Sequence, residues 1–145
     1  MTLQFAQKAV IVRDGRVLLV RKSMEDPFNP GRWELPGGRL KDGETIDEAI
    51  RREVKEELDL VISPGRPLAM WSWKLGDGPN APVVIAVARL CHIEESAISM
   101  NGHDVDDFID DWAWIELQSV FELDLIPSAR PPLAEALQNL QLSCH

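Results

Sequence analysis

The stretch GGRLKDGETIDEAIRREVKEELDL, residues 37–60, decides the fold. Adjacent glycines allow a close backbone approach at its start, where Pro36, Gly37 and Gly38 predict a tight turn. Gly43 and Glu44 predict a second turn, and Thr45 suits an N-cap. From Thr45 the periodicity predicts a helix to Leu58 whose apolar stripe consists of Ile46, Ala49, Ile50, Val54 and Leu58.

Three carboxylates crowd one shoulder of this stripe. Glu53, Glu56 and Glu57 are i, i+3 and i+4 neighbours, and their mutual repulsion costs a few tenths of a kcal/mol on an exposed helix. Arg52 can neutralise one carboxylate, either Glu44 or a glutamate of its own helix, but not all of them. Two readings follow: a solvated, salt-bridged helix, or a cradle for a hard divalent cation. The solvated back of the helix belongs to Glu48, Arg51 and Lys55.

The same residues resemble the Nudix box of the MutT-like hydrolases. Gly38 is followed after five residues by Glu44, and after seven more by the run REVKEELDL, residues 52–60, which holds the family's Arg-Glu and Glu-Glu pairs. The preceding WELPG, residues 33–37, resembles the family's lead-in. One position departs: Asp59 stands where the family has a helix-ending glycine, and aspartate tolerates the left-handed conformation better than most residues.

The resemblance implies an α/β (α+β) fold with a Nudix-type mixed β-sheet sandwiched between helices. It also implies a Mg²⁺-dependent hydrolase, with Mn²⁺ as an alternative cation, acting on nucleoside diphosphates linked to another group. Water would attack phosphorus, with a glutamate or a loop carboxylate as base. Glu53, Glu56 and Glu57 match the family's metal-binding positions, Gly38 could add its carbonyl oxygen, and Arg52 and Glu44 match positions that orient the site.

The rest of the chain predicts one domain over residues 1–145. Strands are expected at 5–12 and 16–22, joined by a hairpin turn at Asp14-Gly15, and a loop is expected at 23–32. Further strands are expected at 33–35, 68–75, 82–93 and 112–117, with an acidic loop at 99–111. Pro131 and Pro132 open a final helix with core positions at Leu133, Ala136, Leu137 and Leu140. This order predicts a mixed sheet with helices on its faces.

Several residues outside the box are candidates for the functional site, and each could instead be an ordinary surface or core residue. An acidic residue of the late loop could complete the site, with Asp107 as first choice among Asp106, Asp107, Asp110 and Asp111. Arg21, Lys22 and Arg39 could contact phosphate or be surface charges. Phe28, Trp71 and Trp73 could stack a base, although tryptophan in strands is more often core, as expected for Trp112 and Trp114.

Composition limits the partners. With 145 residues, a net charge of −9 and no basic patch, the chain is not expected to bind a nucleic-acid polymer. A small nucleotide remains compatible, because bound cations invert the local field. The absence of an apolar run or signal peptide argues against a membrane, and two cysteines without metal spacing suggest a reducing cytoplasm. Monomer and homodimer both stay open.

The substrate and one alternative class also stay open. The chain has no tyrosine, which speaks against the dinucleoside polyphosphate branch of the family. Pro79 and Pro82 lack a convincing ADP-ribose-type spacing, and nucleoside triphosphates, including oxidised and deoxy forms, remain possible substrates. A non-catalytic nucleotide sensor on the same fold is the alternative function. A calcium buffer would require an EF-hand loop, and the sequence has none.

Overall fold

A computed structural model describes residues 2–95, 98 and 108–142. The described elements run in the order β1 (Leu3–Arg13), β2 (Arg16–Lys22), β3 (Trp33–Glu34), β4 (Gly37–Arg39), α1 (Ile46–Leu58), β5 (Val61–Lys74), β6 (Val83–Glu95), β7 (Ile109–Glu116) and α2 (Arg130–Leu142). Two 3₁₀ helices, Leu117–Glu122 and Pro127–Ala129, lie between β7 and α2. No helix in these ranges combines the length and apolar content needed to cross a membrane.

Strand β1 is the centre of the sheet. Over Leu3–Ile11 it pairs in parallel with β6, and over Ala6–Lys8 it pairs antiparallel with β4. Its last residues, Val12 and Arg13, pair instead with β2. The strand order is β3-β2-β1-β6-β5, with β7 added on β2 and β5 pairing with β6. The predicted mixed sheet is confirmed, and β1 brings the start of the Nudix-like stretch against the sheet.

The two helices pack on opposite faces of this sheet. Ile50 and Val54 of α1 are buried in a cluster with Ala9 of β1, whereas Leu133 of α2 is buried in a cluster with Val10. Because consecutive strand residues point to opposite faces, Ala9 and Val10 mark the two layers. The predicted core face of α2 is confirmed, with Leu133, Ala136 and Leu137 buried and Leu140 packed against them.

The predicted β5 strand was wrong at its start, because it begins at Val61 rather than residue 68. Pro64, Gly65 and Pro67 resemble a loop in the sequence. In the structure they interrupt the ladder with β6, where the register shifts between Pro64 and Pro67, without ending the strand. An irregular strand of this kind has no clean alternating pattern for sequence to detect.

Two other predictions also need correction. Gly37 and Gly38 do not form a tight turn but lie in β4, opposite Lys8 and Gln7 of β1. Gly37 has φ +146°, and a Cβ there would overlap the backbone carbonyl of Gln7, so only glycine permits this close pairing. The predicted acidic loop ends early, because residues 109–111 belong to β7. Residues 99–107 lie outside the described residues.

Candidate active site

Local signals set both ends of α1. The Thr45 hydroxyl accepts a hydrogen bond from the Glu48 N–H at 3.2 Å, and the Glu48 carboxylate accepts from the Thr45 N–H at 3.3 Å, which forms a capping box. At the other end Asp59 adopts the left-handed conformation, with φ 55° and ψ 32°. The predicted N-cap is confirmed, and Asp59 performs the helix-ending role that the resemblance assigns to glycine.

The carboxylates of α1 occupy different depths. Glu53 is 8% exposed and Glu57 only 2% exposed, whereas Glu56 is half-buried. Glu48, Arg51 and Lys55 are exposed on the opposite side, as the helical spacing predicts. Carboxylates are almost never fully buried unless they are paired. The surroundings of Glu53 and Glu57 therefore decide what this face of the helix can do.

Strand β4 lies directly against these two glutamates. The Gly37 N–H donates to Glu57 Oε1 at 3.2 Å. A Cβ on Gly38 would stand 2.6 Å from each carboxylate oxygen of Glu53, so the absence of a side chain is what allows this carboxylate to lie against the strand. The two glycines thus have separate roles: Gly37 permits pairing with β1, and Gly38 makes room for Glu53.

Arg52 joins the helix to the preceding loop. Its guanidinium donates to both oxygens of Glu44, at 2.6 and 3.0 Å, and to the Arg39 carbonyl at 3.1 Å. It also donates to Glu53 at 3.0 Å and to Glu56 at 3.3 Å. The sequence predicted that Arg52 neutralises one carboxylate; its single charge is shared among contacts with three, Glu44, Glu53 and Glu56. The planar guanidinium makes this possible because its N–H groups diverge in a fixed fork.

This contact dominates the electrostatics of Glu44. The hydrogen bond from Arg52, aided by the Lys41 N–H at 2.8 Å, lowers the pKa of Glu44 to about 2. The same bond raises the pKa of Arg52. Both side chains therefore stay ionised throughout the neutral range, and the loop 39–44 is held against α1 by charge-assisted bonds.

Glu57 lacks such a partner on one side. Burial raises its pKa well above the ordinary value, an effect that nearby Lys8 opposes and that Glu34 and Glu53 reinforce. Its Oε1 accepts from Gly37, but among the described residues its Oε2 is buried without a hydrogen-bond partner. A buried, unsatisfied carboxylate oxygen is costly and uncommon in native proteins, so this atom, like Gln4 Oε1, needs an explanation.

Two residues of the site were missed by the sequence analysis. Lys8 of β1 and Glu34 of β3 form a close ion pair, with Lys22 Nζ 3.8 Å from the other Glu34 oxygen. Burial opposes the charge on Lys8, but Glu34 and Glu57 outweigh it, so the pKa of Lys8 is raised. The available signal was the polar pair Gln7-Lys8 in the otherwise apolar strand AQKAVIV, residues 6–12.

A concave pocket adjoins Lys8 and Glu34. It has a volume of about 330 Å³, and Phe28, Trp71 and Trp73 line it together with Arg39. The rings of Trp71 and Trp73 have centroids 6.4 Å apart and planes inclined by 26°. Phe28 is 84% exposed at this pocket. The three aromatic residues that sequence selected as stacking candidates therefore lie together, next to the charged centre.

A comparison with known protein families identifies the family to which this chain belongs. The model of a family described as the NUDIX domain matches residues 4–140. The chain belongs to the NUDIX domain family. The nucleoside triphosphatase NudI of Salmonella agona is 30% identical to this Nudix domain over 135 residues, which cover 86% of this chain and 90% of that protein.

Solved structures agree with this membership. The MutT protein of Methanosarcina mazei superposes with a TM-score of 0.75 over 99% of this chain and 97% of that chain, at 20% identity. A MutT NUDIX hydrolase of Burkholderia pseudomallei superposes with a TM-score of 0.66 over 93% and 98% of the two chains, at 26% identity. The protein is a Nudix pyrophosphohydrolase, and the predicted family and fold class are confirmed.

Nudix proteins are typically dependent on a divalent metal, and the donor set here fits such an ion in part. Oxygen donors suit Mg²⁺, and Glu57 Oε2 is a buried acceptor without a partner among the described residues. Within the same residues, no three metal-ligating side chains are already gathered closely enough to hold an ion. Glu53 and Glu56 both lie against Arg52, and the Glu56 side chain is 34% exposed.

The four acidic candidates of the late loop have different outcomes in the structure. Asp106 and Asp107 lie outside the described residues. Asp110 pairs with Arg21 Nε at 2.9 Å, and Asp111 lies 3.9 Å from the same guanidinium. Arg21 in turn lies over the Trp33 ring at 5.8 Å. Trp112 and Trp114 pack against the α1-side core, which confirms the expectation that they are core residues.

Proposed function

We propose that this Nudix hydrolase cleaves the pyrophosphate linkage of a nucleoside triphosphate, in ribo or deoxy form. A divalent cation, Mg²⁺ or Mn²⁺, would be held by Glu53, Glu56 and Glu57 with the carbonyl oxygen of Gly38. The observation that carries the proposal is the buried Glu57 Oε2, which lies beside β4 and has no hydrogen-bond partner within residues 2–95, 98 and 108–142. A cation at this point would remove the cost of burying that oxygen and offset the repulsion among the glutamates.

The reaction is an exchange of bonds at phosphorus. A water oxygen bonds to phosphorus, the bridging P–O bond breaks with its electron pair going to the departing phosphate or pyrophosphate, and the proton of the water passes to a nearby carboxylate. When bound, the cation stabilises the charge on the pyrophosphate oxygens and activates water. Arg52 contacts Glu53 and Glu56 and is itself held by Glu44, so the loop 39–44 and α1 keep these carboxylates close to one another.

The aromatic pocket suits the nucleoside part. Its volume of about 330 Å³ falls at the lower end of the range typical of small-molecule pockets. Trp71, Trp73 and Phe28 offer faces for a base, and Arg39 and Lys8 line the same pocket with positive charge. A nucleotide with its base on the tryptophans would have Lys8 and Arg39 of the same pocket available for its phosphates. The name of the Salmonella relative, a nucleoside triphosphatase, supports the same substrate class.

The deciding experiment is a substrate panel with Mg²⁺. It contains common NTPs and dNTPs, oxidised guanine nucleotides, ADP-ribose, NADH and dinucleoside polyphosphates, with released phosphate and pyrophosphate measured separately. We expect triphosphates to be hydrolysed by the wild type and not by Glu56→Gln. Glu48→Gln is the matched control, because it removes a charge from the same helix while glutamine can keep the capping box. Turnover of ADP-ribose alone would reject the triphosphate assignment.

The pocket is tested separately through Trp73. Stacking of a base on an aromatic ring is worth about 1–3 kcal/mol, so Trp73→Ala should raise KM by roughly 5- to 150-fold with kcat little changed. Trp73→Phe retains a ring and should restore most of the affinity. An unchanged KM for Trp73→Ala in folded protein would place the base elsewhere.

A further inference from the structure

A buried glutamine lies on β1, next to strand β4 (Gly37–Arg39) in the sheet. Gln7 of β1 is 1% exposed, and its register partners are Gly38 of β4 and Val87 of β6. The next residues on the same strand face, Ala9 and Ile11, are apolar and pack against α1. A polar side chain at this position is therefore an exception that needs a reason, because burying an amide is unfavourable unless it is hydrogen-bonded.

Both ends of the Gln7 amide are used. Nε2 donates to the carbonyl of Ile46, the first residue of α1, at 2.8 Å. Oε1 accepts from Arg89 at 3.1 Å. A carbonyl oxygen has two lone pairs, so Ile46 can accept this bond and still accept within the helix. Gln7 thus links the strand that pairs with Gly38 directly to the first turn of the helix that carries Glu53 and Glu57.

Arg89 of β6 completes the connection. The same guanidinium donates to Asp47 of α1 at 2.7 Å and to the carbonyl of Gly65 at 3.0 Å. Gly65 lies where the pairing of β5 with β6 is interrupted, and a Cβ there would stand 2.6 Å from the Leu90 carbonyl. Three strands and the start of α1 therefore meet at one nearly buried arginine, whose side chain is 11% exposed.

The apolar packing of α1 cannot by itself set its position along the sheet. Hydrophobic contacts are non-directional, whereas hydrogen bonds weaken steeply when their geometry changes. The site needs such accuracy, because Glu57 Oε1 accepts from Gly37 at 3.2 Å and Glu53 fits against Gly38 only for lack of a Cβ. We infer that Gln7 and Arg89 are positioning residues that fix α1 relative to β4 and thereby place Glu53 and Glu57. The consequence for metal binding rests on the proposed function.

The first test uses metal-free protein and does not depend on activity. Amide hydrogen exchange reports the Gly37 N–H bond to Glu57, while the Ala9 N–H to Pro36 and Leu40 N–H to Phe5 bonds, both 2.8 Å, report β1–β4 pairing itself. Gln7→Met keeps the side-chain size but loses both bonds. We expect about tenfold faster exchange at Gly37 with Ala9 and Leu40 unchanged. Arg89→Lys should act in the same direction.

The second test titrates Mn²⁺ into the same proteins without nucleotide. Residues that orient a metal site cost 10- to 100-fold in affinity or activity when replaced, and we expect a weakening near tenfold for Gln7→Met and Arg89→Lys. The matched control is Gln4→Met, the same substitution on the same strand, which should leave exchange and affinity unchanged. If Gln7→Met fails to fold, Arg89→Lys decides by the same two readouts.

The outcomes separate the two proposals. Wild-type protein that binds no Mn²⁺ contradicts the proposed metal site, but the Gly37 exchange result still decides the positioning role. Unchanged Gly37 exchange in folded Gln7→Met and Arg89→Lys overturns the inference even when the wild type binds metal and hydrolyses nucleotide.

Discussion

Glu57 Oε1 accepts a hydrogen bond from the Gly37 N–H at 3.2 Å, while the Oε2 atom of the same carboxylate is buried with no partner among the described residues. Strand β4 therefore satisfies Oε1 of the carboxylate, while Oε2 lies in the protein interior. Lys8 partly offsets its charge. This half-satisfied state is unfavourable for the metal-free protein and is the basis of the first prediction.

Glu57→Gln should stabilise the metal-free fold and abolish most turnover. Burying an ionised carboxylate costs more than burying a neutral amide, and the glutamine Oε1 can still accept from Gly37. Because the folded pKa of Glu57 is raised, its cost is absent below the ordinary value near 4.5 and grows as pH rises towards the folded pKa. Urea unfolding in EDTA should thus show a larger gain at pH 8 than at pH 5.

The catalytic part of this prediction uses the same variant with Mg²⁺. Turnover should fall by orders of magnitude, and millimolar Mn²⁺ should raise the melting temperature of the wild type more than that of the variant. A variant less stable than wild type in EDTA at pH 8 would show that Glu57 acts as a structural partner of Lys8 instead.

Gly37→Ala should lower the stability of the fold, whereas Gly38→Ala should lower the affinity for metal. At Gly37 a Cβ overlaps backbone of β1 and φ is +146°, so the fold should lose about 2–5 kcal/mol through strain and overlap. At Gly38 the three atoms nearest to a Cβ all belong to the end of the flexible Glu53 side chain, which can move. We expect Gly38→Ala to unfold near the wild-type midpoint yet lose most metal affinity, as measured by denaturation and Mn²⁺ titration. Equal stability losses for both would contradict the separate roles.

The Glu44–Arg52 pair should persist into strong acid. The pKa of Glu44 is lowered from 4.5 to about 2 by the Arg52 hydrogen bond, so its stabilisation is complete above the unfolded value and is lost as pH falls from about 4.5 to 2. The stability difference between wild type and Glu44→Gln should be constant from pH 7 to pH 5 and shrink below that. A difference that stays constant as pH falls from 5 to 2 would show that Glu44 has an ordinary pKa, because equal folded and unfolded pKa values give no pH dependence.

Asp59→Gly should raise stability slightly. Asp59 pays for its left-handed conformation, while its pair with Lys55 at 2.8 Å is exposed and worth only a few tenths of a kcal/mol. The expected gain is about 0.5 kcal/mol, which is roughly 1–2 °C in Tm for a domain of this size. Kinetic constants should not change. A fall in Tm would mean that the Lys55 contact outweighs the backbone strain.

Local patterns succeeded wherever the relevant contacts are close in sequence. The capping box spans Thr45 to Glu48, and the shared arc of Glu53, Glu56 and Glu57 follows from helical geometry alone. The β5 strand failed as a prediction because Pro64, Gly65 and Pro67 suggest a loop, and only pairing with β6 keeps them in the sheet. Local preference was overridden there by tertiary hydrogen bonds.

The sequence by itself determined the helix, its caps, the family and the crowding of the glutamates, because these depend on residue spacing within one element. Only the tertiary structure decided which glutamate is buried, which contacts Arg52 makes and that Lys8 and Glu34 adjoin the site. It also brought Gln7 to Ile46, 39 residues apart. Such contacts arise from the register of β1 with β4 and β6, and no local periodicity encodes the register between distant strands.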